Sequence, residues 1–161
     1  MTKKKTLLWS LSLLVILGGG AVFYFRDRVP VLTAETYSAA KSQWETRGLK
    51  DYEMDVEVSG VQHGKYRISV KGGDVVKMTE DGIEVPERVW THWGVKGMFR
   101  FLEEELASRK HPSAAYGVSE PESVYLHARF DPKLGYPTRF LRQVFGRKLT
   151  VEWRARIVGE N

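Results

Sequence analysis

Residues 7–25 carry no charged side chain over 19 positions, and Lys3, Lys4 and Lys5 stand directly before them. An α-helix rising about 1.5 Å per residue needs roughly that length to cross the ~30 Å hydrocarbon core of a bilayer. A buried helix of a water-soluble domain would carry polar residues along one side, and only Ser10, Ser12 and three glycines interrupt this one. The lysines favour a cytoplasmic N-terminus, because Arg26 and Arg28 beyond the run are offset by Asp27. Everything after the run is then exported. A cleaved signal peptide is the competing reading, with residues 7–17 as its apolar region and the small residues 18–21 as its cleavage site. Val22, Phe23, Tyr24 and Phe25 extend the apolar run and put aromatics at interface depth, which favours an uncleaved anchor. The expected organisation is a cytoplasmic tail (1–6), a transmembrane signal anchor (7–25), a linker (26–33) and an extracytoplasmic domain (34–161). The expected location is a bacterial inner or plasma membrane, with the C-terminal domain periplasmic or extracellular.

The chain contains no cysteine, which excludes disulfides, thiolate metal sites, a cysteine nucleophile and a lipidated cysteine. An exported body of this length must then rest on an ordinary hydrophobic core, as one domain. The net charge of +5 owes three charges to the leading lysines; residues 26–161 hold 22 Lys and Arg against 20 Asp and Glu. That balance is no nucleic-acid footprint. The charge is uneven, however: residues 133–161 hold seven basic and two acidic side chains.

Period distinguishes the elements. Tyr37, Ala40 and Trp44 share one face of an expected helix over residues 34–47, with Thr33 as its cap and Gly48 as its stop. Tyr52, Met54, Val56 and Val58 alternate with acidic residues, and Tyr66, Ile68 and Val70 alternate with basic ones, which is the pattern of two half-buried strands. Paired across a five-residue loop, they would set Glu57 against Arg67 and Glu53 against Lys71. The carboxylates therefore read as a paired sheet surface rather than a metal site. A third strand at residues 74–79 follows Gly72 and Gly73, and residues 80–88 read as a turn. A second helix over residues 95–109 turns Met98, Phe99, Leu102 and Leu106 inward and Glu103, Glu104 and Glu105 mainly to solvent. Residues 111–121 read as a loop. Strands at 123–131, 138–145 and 148–158 complete the chain, the last two forming a hairpin about Gly146 and Arg147. The resulting fold class is α+β: an antiparallel sheet of about six strands with two helices on one face, in the order α-β-β-β-α-β-β-β.

Trp44, Gly48, Tyr52, Gly64, Tyr66, Ile68, Val70 and Gly73, then Met98 and Phe99, then Phe130 and the D-x-x-x-G-Y-P-T segment from Asp131 to Thr138 carry a family likeness. On these landmarks the chain resembles a bacterial family of small exported domains of unknown function, commonly lipoproteins or membrane-anchored. The resemblance covers about two thirds of the chain, and it implies no activity and no catalytic residue.

Catalytic patterns are thin. His63, His92, His111 and His127 are scattered, and no metal-binding histidine pair, nucleophile elbow or phosphate loop is present. No enzyme activity, cofactor or metal is expected. Two candidate surfaces remain. Arg139, Arg142, Arg147, Lys148, Arg154 and Arg156 lie on the last two strands as a basic binding face for an anionic lipid headgroup or an acidic envelope protein. Trp90 and Trp93 read as core packing or, if exposed, as aromatic contacts. Residues 131–138 read as a tight structural turn, with Asp131 accepting from turn amides, the alternative setting Tyr136 at a rim as a ligand contact beside Arg139. The function expected is a non-enzymatic binding or accessory module of the cell envelope; the alternative is an envelope enzyme with a dispersed active site.

Overall fold

The computed structural model describes residues 28–61 and 63–160, so the expected anchor at residues 7–25 lies outside the described residues. Among those described, no helix is long and apolar enough to cross a membrane. The elements run α1 (Ala34–Arg47), β1 (Tyr52–Gly60), β2 (Gly64–Lys71), β3 (Asp74–Glu80), β4 (Ile83–Glu84), a 3-10 turn (Glu87–His92), α2 (Gly94–Lys110), α3 (Pro112–Tyr116), a second 3-10 turn (Pro121–Ser123), β5 (Val124–Phe130), β6 (Pro137–Val144) and β7 (Val151–Glu160). The strands form one antiparallel sheet in the order β4-β3-β2-β1-β7-β6-β5. The α+β class holds, with a seventh strand: β4 is a two-residue return within the segment expected as a turn. A five-residue helix, α3, likewise sits inside the expected loop at 111–121.

Alternation decides which face is buried. Tyr52, Met54 and Val56 of β1, Ile68 and Val70 of β2, Leu126 and Ala128 of β5, and Phe140 and Val144 of β6 all point to one side and are buried. Fully burying a large apolar side chain contributes about 1.5–3 kcal/mol, so this one face dominates the stability. The helices cover it. From α1 come Tyr37, Ala40 and the half-buried Trp44, whose ring meets Tyr52 and Tyr136 edge-on at 5.7 and 6.1 Å. From α2 come Val95, Met98, Phe99 and Leu102. The other face carries the polar residues and stays open to water, as antiparallel sheets permit.

Local sequence sets the helix positions. Thr33 and Thr36 form a reciprocal cap, each hydroxyl accepting from the other's backbone N–H at 3.1 and 3.0 Å. Gly48 does end α1, but in an extended conformation (φ −70°, ψ 153°) rather than a left-handed one. Its requirement is steric, since a Cβ there would lie 2.4 Å from the Trp44 ring. The start of α2 is fixed by Tyr52, whose buried hydroxyl accepts from the Val95 N–H at 2.9 Å. This bond satisfies one of the orphan donors at the helix N-terminus.

The β1–β2 register differs from expectation by two residues. Pairing continues to Val58↔Gly64, so Glu57 faces Lys65 and Asp55 faces Arg67. The connection is shorter than five residues because Gly60 and Gly64 belong to the strands. The expected linker is also structured in its described part. Leu32, fully buried, donates its N–H to Leu126 at 2.8 Å, and Ala128 donates to Pro30 at 3.0 Å. This short segment pairs with β5 through Val31 and His127 and covers that edge of the sheet.

Replacing Tyr52 with Phe leaves the Val95 N–H buried and unpaired, and is expected to cost about 1–3 kcal/mol in urea denaturation. Burial pushes the Tyr52 hydroxyl up to about 12, only partly opposed by the Val95 bond. A raised folded-state value means that stability is intact below pH ~10, where the unfolded tyrosine is still protonated, and drains as pH rises toward ~12. Tyr52→Phe should flatten that alkaline decline; an unchanged decline would show that Tyr52 is not its source.

Candidate functional site

The open face of the sheet is a ladder of charges set by strand register. Arg129 of β5 lies opposite Arg139 of β6, which lies opposite Arg154 of β7. Arg154 in turn faces Glu57 of β1, and Glu57 faces Lys65 of β2. Three arginines side by side oppose one another. Glu152 relieves the contact: its Oε1 accepts from Arg139 Nε at 2.8 Å and from Arg154 Nε at 3.1 Å. One carboxylate thus serves two arginines.

The next row repeats that ratio. Asp55 accepts both fork bonds of Arg67, at 2.8 and 3.1 Å, while Arg156 stands 3.8 Å away. The Arg67 guanidinium holds the Asp55 carboxyl below the ordinary range, against a smaller opposing effect of burial. Between these rows lies a shallow cleft of about 600 Å³, lined among others by Asp55, Glu57, Lys65, Arg67, Arg154 and Arg156. Guanidinium groups presented this way recognise carboxylate or phosphate oxygens by paired hydrogen bonds.

The six residues expected as a basic face do not form one. Arg139, Arg154 and Arg156 share the open face. Arg142 points the other way, with Phe140 and Val144, into the helical layer. There it pairs with Glu105 of α2, whose other oxygen accepts from Tyr116 OH at 2.7 Å. Arg147 and Lys148 sit in the β6–β7 connection, where Arg147 donates to the Gly117 carbonyl at 2.7 Å.

Glu105 is the residue that sequence reasoning missed. It is buried, unlike Glu103, which accepts from Tyr37 OH at 2.9 Å, and Glu104, which meets His92 at 3.0 Å. The available signal was spacing: Val95, Met98, Leu102 and Glu105 fall at i, i+3, i+7 and i+10 on one helical stripe. Burial, reinforced by the Glu105 carboxylate, pushes the Tyr116 hydroxyl up to about 12. The group locks α2 and α3 onto β6.

The aromatic candidates also separate. Trp90 is half-buried and donates its indole N–H to the Val85 carbonyl at 2.9 Å. Trp93 lies against Tyr66 at 4.2 Å between ring centroids. With Phe101, Trp153, Val58 and Val151 it lines a groove of about 230 Å³ on the helical side, with His92 at the rim. Tyr136 is no rim contact: it is buried, 7% exposed, under Trp44. The Asp131 to Thr138 segment that carries it is a turn. Asp131 Oδ1 accepts from the Lys133 and Leu134 amides at 2.9 and 2.8 Å. Gly135, at φ +84°, packs so closely on α1 that a Cβ would lie 2.5 Å from the Ala40 carbonyl oxygen.

The histidines do not converge. His127 Nδ1 bonds the Val29 carbonyl at 2.8 Å, His92 reaches Glu104, and His63 and His111 stand in connections between elements. Among the described residues no group of three or more His, Asp or Glu is placed to hold a metal ion.

Comparison with protein-family models, with curated proteins and with solved structures finds no match to this chain.

Removing one partner of a buried ion pair strands the other, so Glu105→Gln is expected to cost about 3–5 kcal/mol in chemical denaturation. The double substitution Glu105→Leu with Arg142→Leu, which removes both charges, should recover most of that loss. A double variant as unstable as Glu105→Gln would show that the ion pair does not account for the cost.

Proposed function

We propose that this chain is a single-pass membrane protein with its N-terminus in the cytoplasm and its α+β domain exported. The domain acts as a non-enzymatic binding or accessory module of a bacterial cell envelope, and its open sheet face is the working surface. The observation that carries the proposal is the way the chain enters the domain. Three residues after the apolar run, the backbone is already tied to β5: the Arg28 carbonyl accepts from Arg129 at 2.8 Å and the Val29 carbonyl bonds His127. With Leu32 buried beyond them, these bonds leave little slack between an anchor at residues 7–25 and the sheet. A domain tethered that tightly has one edge held near the bilayer.

The form of the open face supports a binding role. Its cleft is shallow and lined by paired charges, and such a surface suits a broad polar partner better than an enclosed small substrate.

The test is topology. Expressed in bacterial cells, the full chain is expected to stay in membranes through alkaline carbonate extraction. Its C-terminal domain is expected to be digested by protease added outside spheroplasts. A domain digested only after the cells are broken would overturn the exported orientation, and release by carbonate would overturn the anchor.

A further inference from the structure

Arg154 and Arg156 stand two residues apart on the open side of β7, about 7 Å from each other along the strand. Their side chains are 62% and 77% exposed. Both have acidic neighbours, yet those carboxylates are already engaged. Glu152 is held by Arg139, and the two are only 21% and 19% exposed, so this deeper pair satisfies itself beneath the surface. Asp55 is held by both fork bonds of Arg67. Each carboxylate carries one negative charge, and each is matched before the β7 arginine is counted. Glu57, opposite Arg154, is shared with Lys65 across β1. Arg154 and Arg156 therefore hold only carboxylates that other cations share, and they stay exposed on the open face, where they line the cleft.

Position relative to the chain's entry gives that charge a direction. Strands lie about 4.8 Å apart, so β7 is roughly 10 Å from β5. The β5 edge is where residues 28–32 are clamped. Arg154 and Arg156 stand on the open side of β7, two strands in from that edge, with Asp55 and Glu57 of β1 on their far side. The helices lie on the opposite face. If the anchor crosses the bilayer where the sequence places it, these two arginines are held close to the headgroups at high effective concentration.

We infer that Arg154 and Arg156 dock the domain face-down on the phosphate groups of anionic lipids in the membrane that anchors it. The inference rests on the anchored reading above. Guanidinium forks match phosphate oxygens, and the attraction decays over a Debye length of about 8 Å at physiological salt, so docking requires the closeness that the clamp enforces. An acidic protein would meet the same two arginines, but no tether would bring it there.

The chain has no native cysteine, so single labels are clean. The full chain carrying Gln143→Cys, exposed on the open side of β6, is labelled with a fluorophore. It is reconstituted in vesicles of phosphatidylcholine or of an equimolar mixture with phosphatidylglycerol, each with a trace of headgroup spin-labelled lipid as quencher. Ala107→Cys, exposed on α2, reports the opposite side. The expected result is strong quenching at Gln143→Cys only in the mixed vesicles, relieved by salt, with little at Ala107→Cys. Neutralising each arginine should weaken docking about fivefold, and Arg154→Gln with Arg156→Gln together about 25-fold. Both sites are exposed and leave Glu152 and Asp55 their main partners, so the double variant should fold, which circular dichroism checks.

Equal quenching in the two lipids, quenching indifferent to salt and to the double variant, or quenching at Ala107→Cys instead would overturn the inference. Carbonate extraction of the same vesicles separates it from the anchored reading. A chain that resists extraction but shows no lipid dependence keeps the anchor and loses the docking. A chain that washes off yet was quenched only beside phosphatidylglycerol loses the anchor, and with it the tethered docking inferred here.

Discussion

The pairing of β1 with β7 is the constraint on which the rest of the molecule depends. The first half of the chain follows its helix with a four-strand meander and the second half follows its helices with a three-strand one, and neither meander can close a core alone. Joining the first strand of one half to the last strand of the other turns two small sheets into one. The join sets Met54 beside Ile157, Val56 beside Ala155 and Val58 beside Trp153 on the helical side. On the open side it sets Asp55 beside Arg156 and Glu57 beside Arg154. Core and charged face are thus fixed by one register. The pairing spans nearly the whole domain in sequence, so it forms late and makes folding slow relative to a helical domain of this size.

Two buried polar contacts then fix the helical layer on that sheet. Tyr52 of the central strand meets the first turn of α2, and Glu105, three turns further on, meets Arg142 of β6. A hydrophobic stripe alone lets a helix slide by a turn at modest cost, because apolar contacts are non-directional. A hydroxyl that must meet one amide and a carboxylate that must meet one guanidinium leave a single placement. The price is a buried Arg142 Nε with no partner among the described residues.

The elements with a clear period were legible in the sequence. Alternation placed β1, β2, β5 and β7, and the inward face of α2 follows from Met98, Phe99 and Leu102. What failed was inference from composition or proximity. Glu105 has the charge of its glutamate neighbours but the spacing of the core residues, and Arg142 has the charge of nearby arginines but the parity of Phe140 and Val144. Register slipped by two because glycine reads as loop even where it ends a strand, as at Gly60 and Gly64. Two elements left no readable signal: β4 has two residues, and the five residues of α3 are held by Pro112 and Tyr116 packing inward. The engaged state of Glu152 and Asp55, which decides which arginines only share a carboxylate, depends on strand order and is invisible before β7 is known to lie between β1 and β6.

The treatment of the sheet's edges leaves its open face as the broad strand surface that meets solvent. An open strand edge offers unpaired backbone groups to any other strand, and proteins cover or shorten such edges. Here the β5 edge is covered by residues 30–32, through the Pro30 and Leu32 bonds. At the other side β4 pairs with Thr79 and Glu80, the Val85 N–H adds a bond to the Met78 carbonyl at 3.0 Å, and Pro86 follows. The remainder of β3 runs beside the 3-10 turn, where Trp90 and Thr91 flank Asp74 and Val75. The helical face is covered by α1, α2 and the first 3-10 turn, which leave the groove at Trp93, a cleft of about 450 Å³ between Trp44, Tyr52 and Phe99, and another of about 530 Å³ beside Tyr66 and Val89. With its β5 edge covered and helices over one face, the domain presents the charged ladder of the other face to solvent. The ladder pairs Arg139 with Glu152 and Arg67 with Asp55 at its deeper level, and at its outer level the more exposed Arg154 and Arg156 share those same carboxylates. The deeper pairs hold the strands in register whether or not a partner is bound, and the outer arginines are left to respond to the charge they meet.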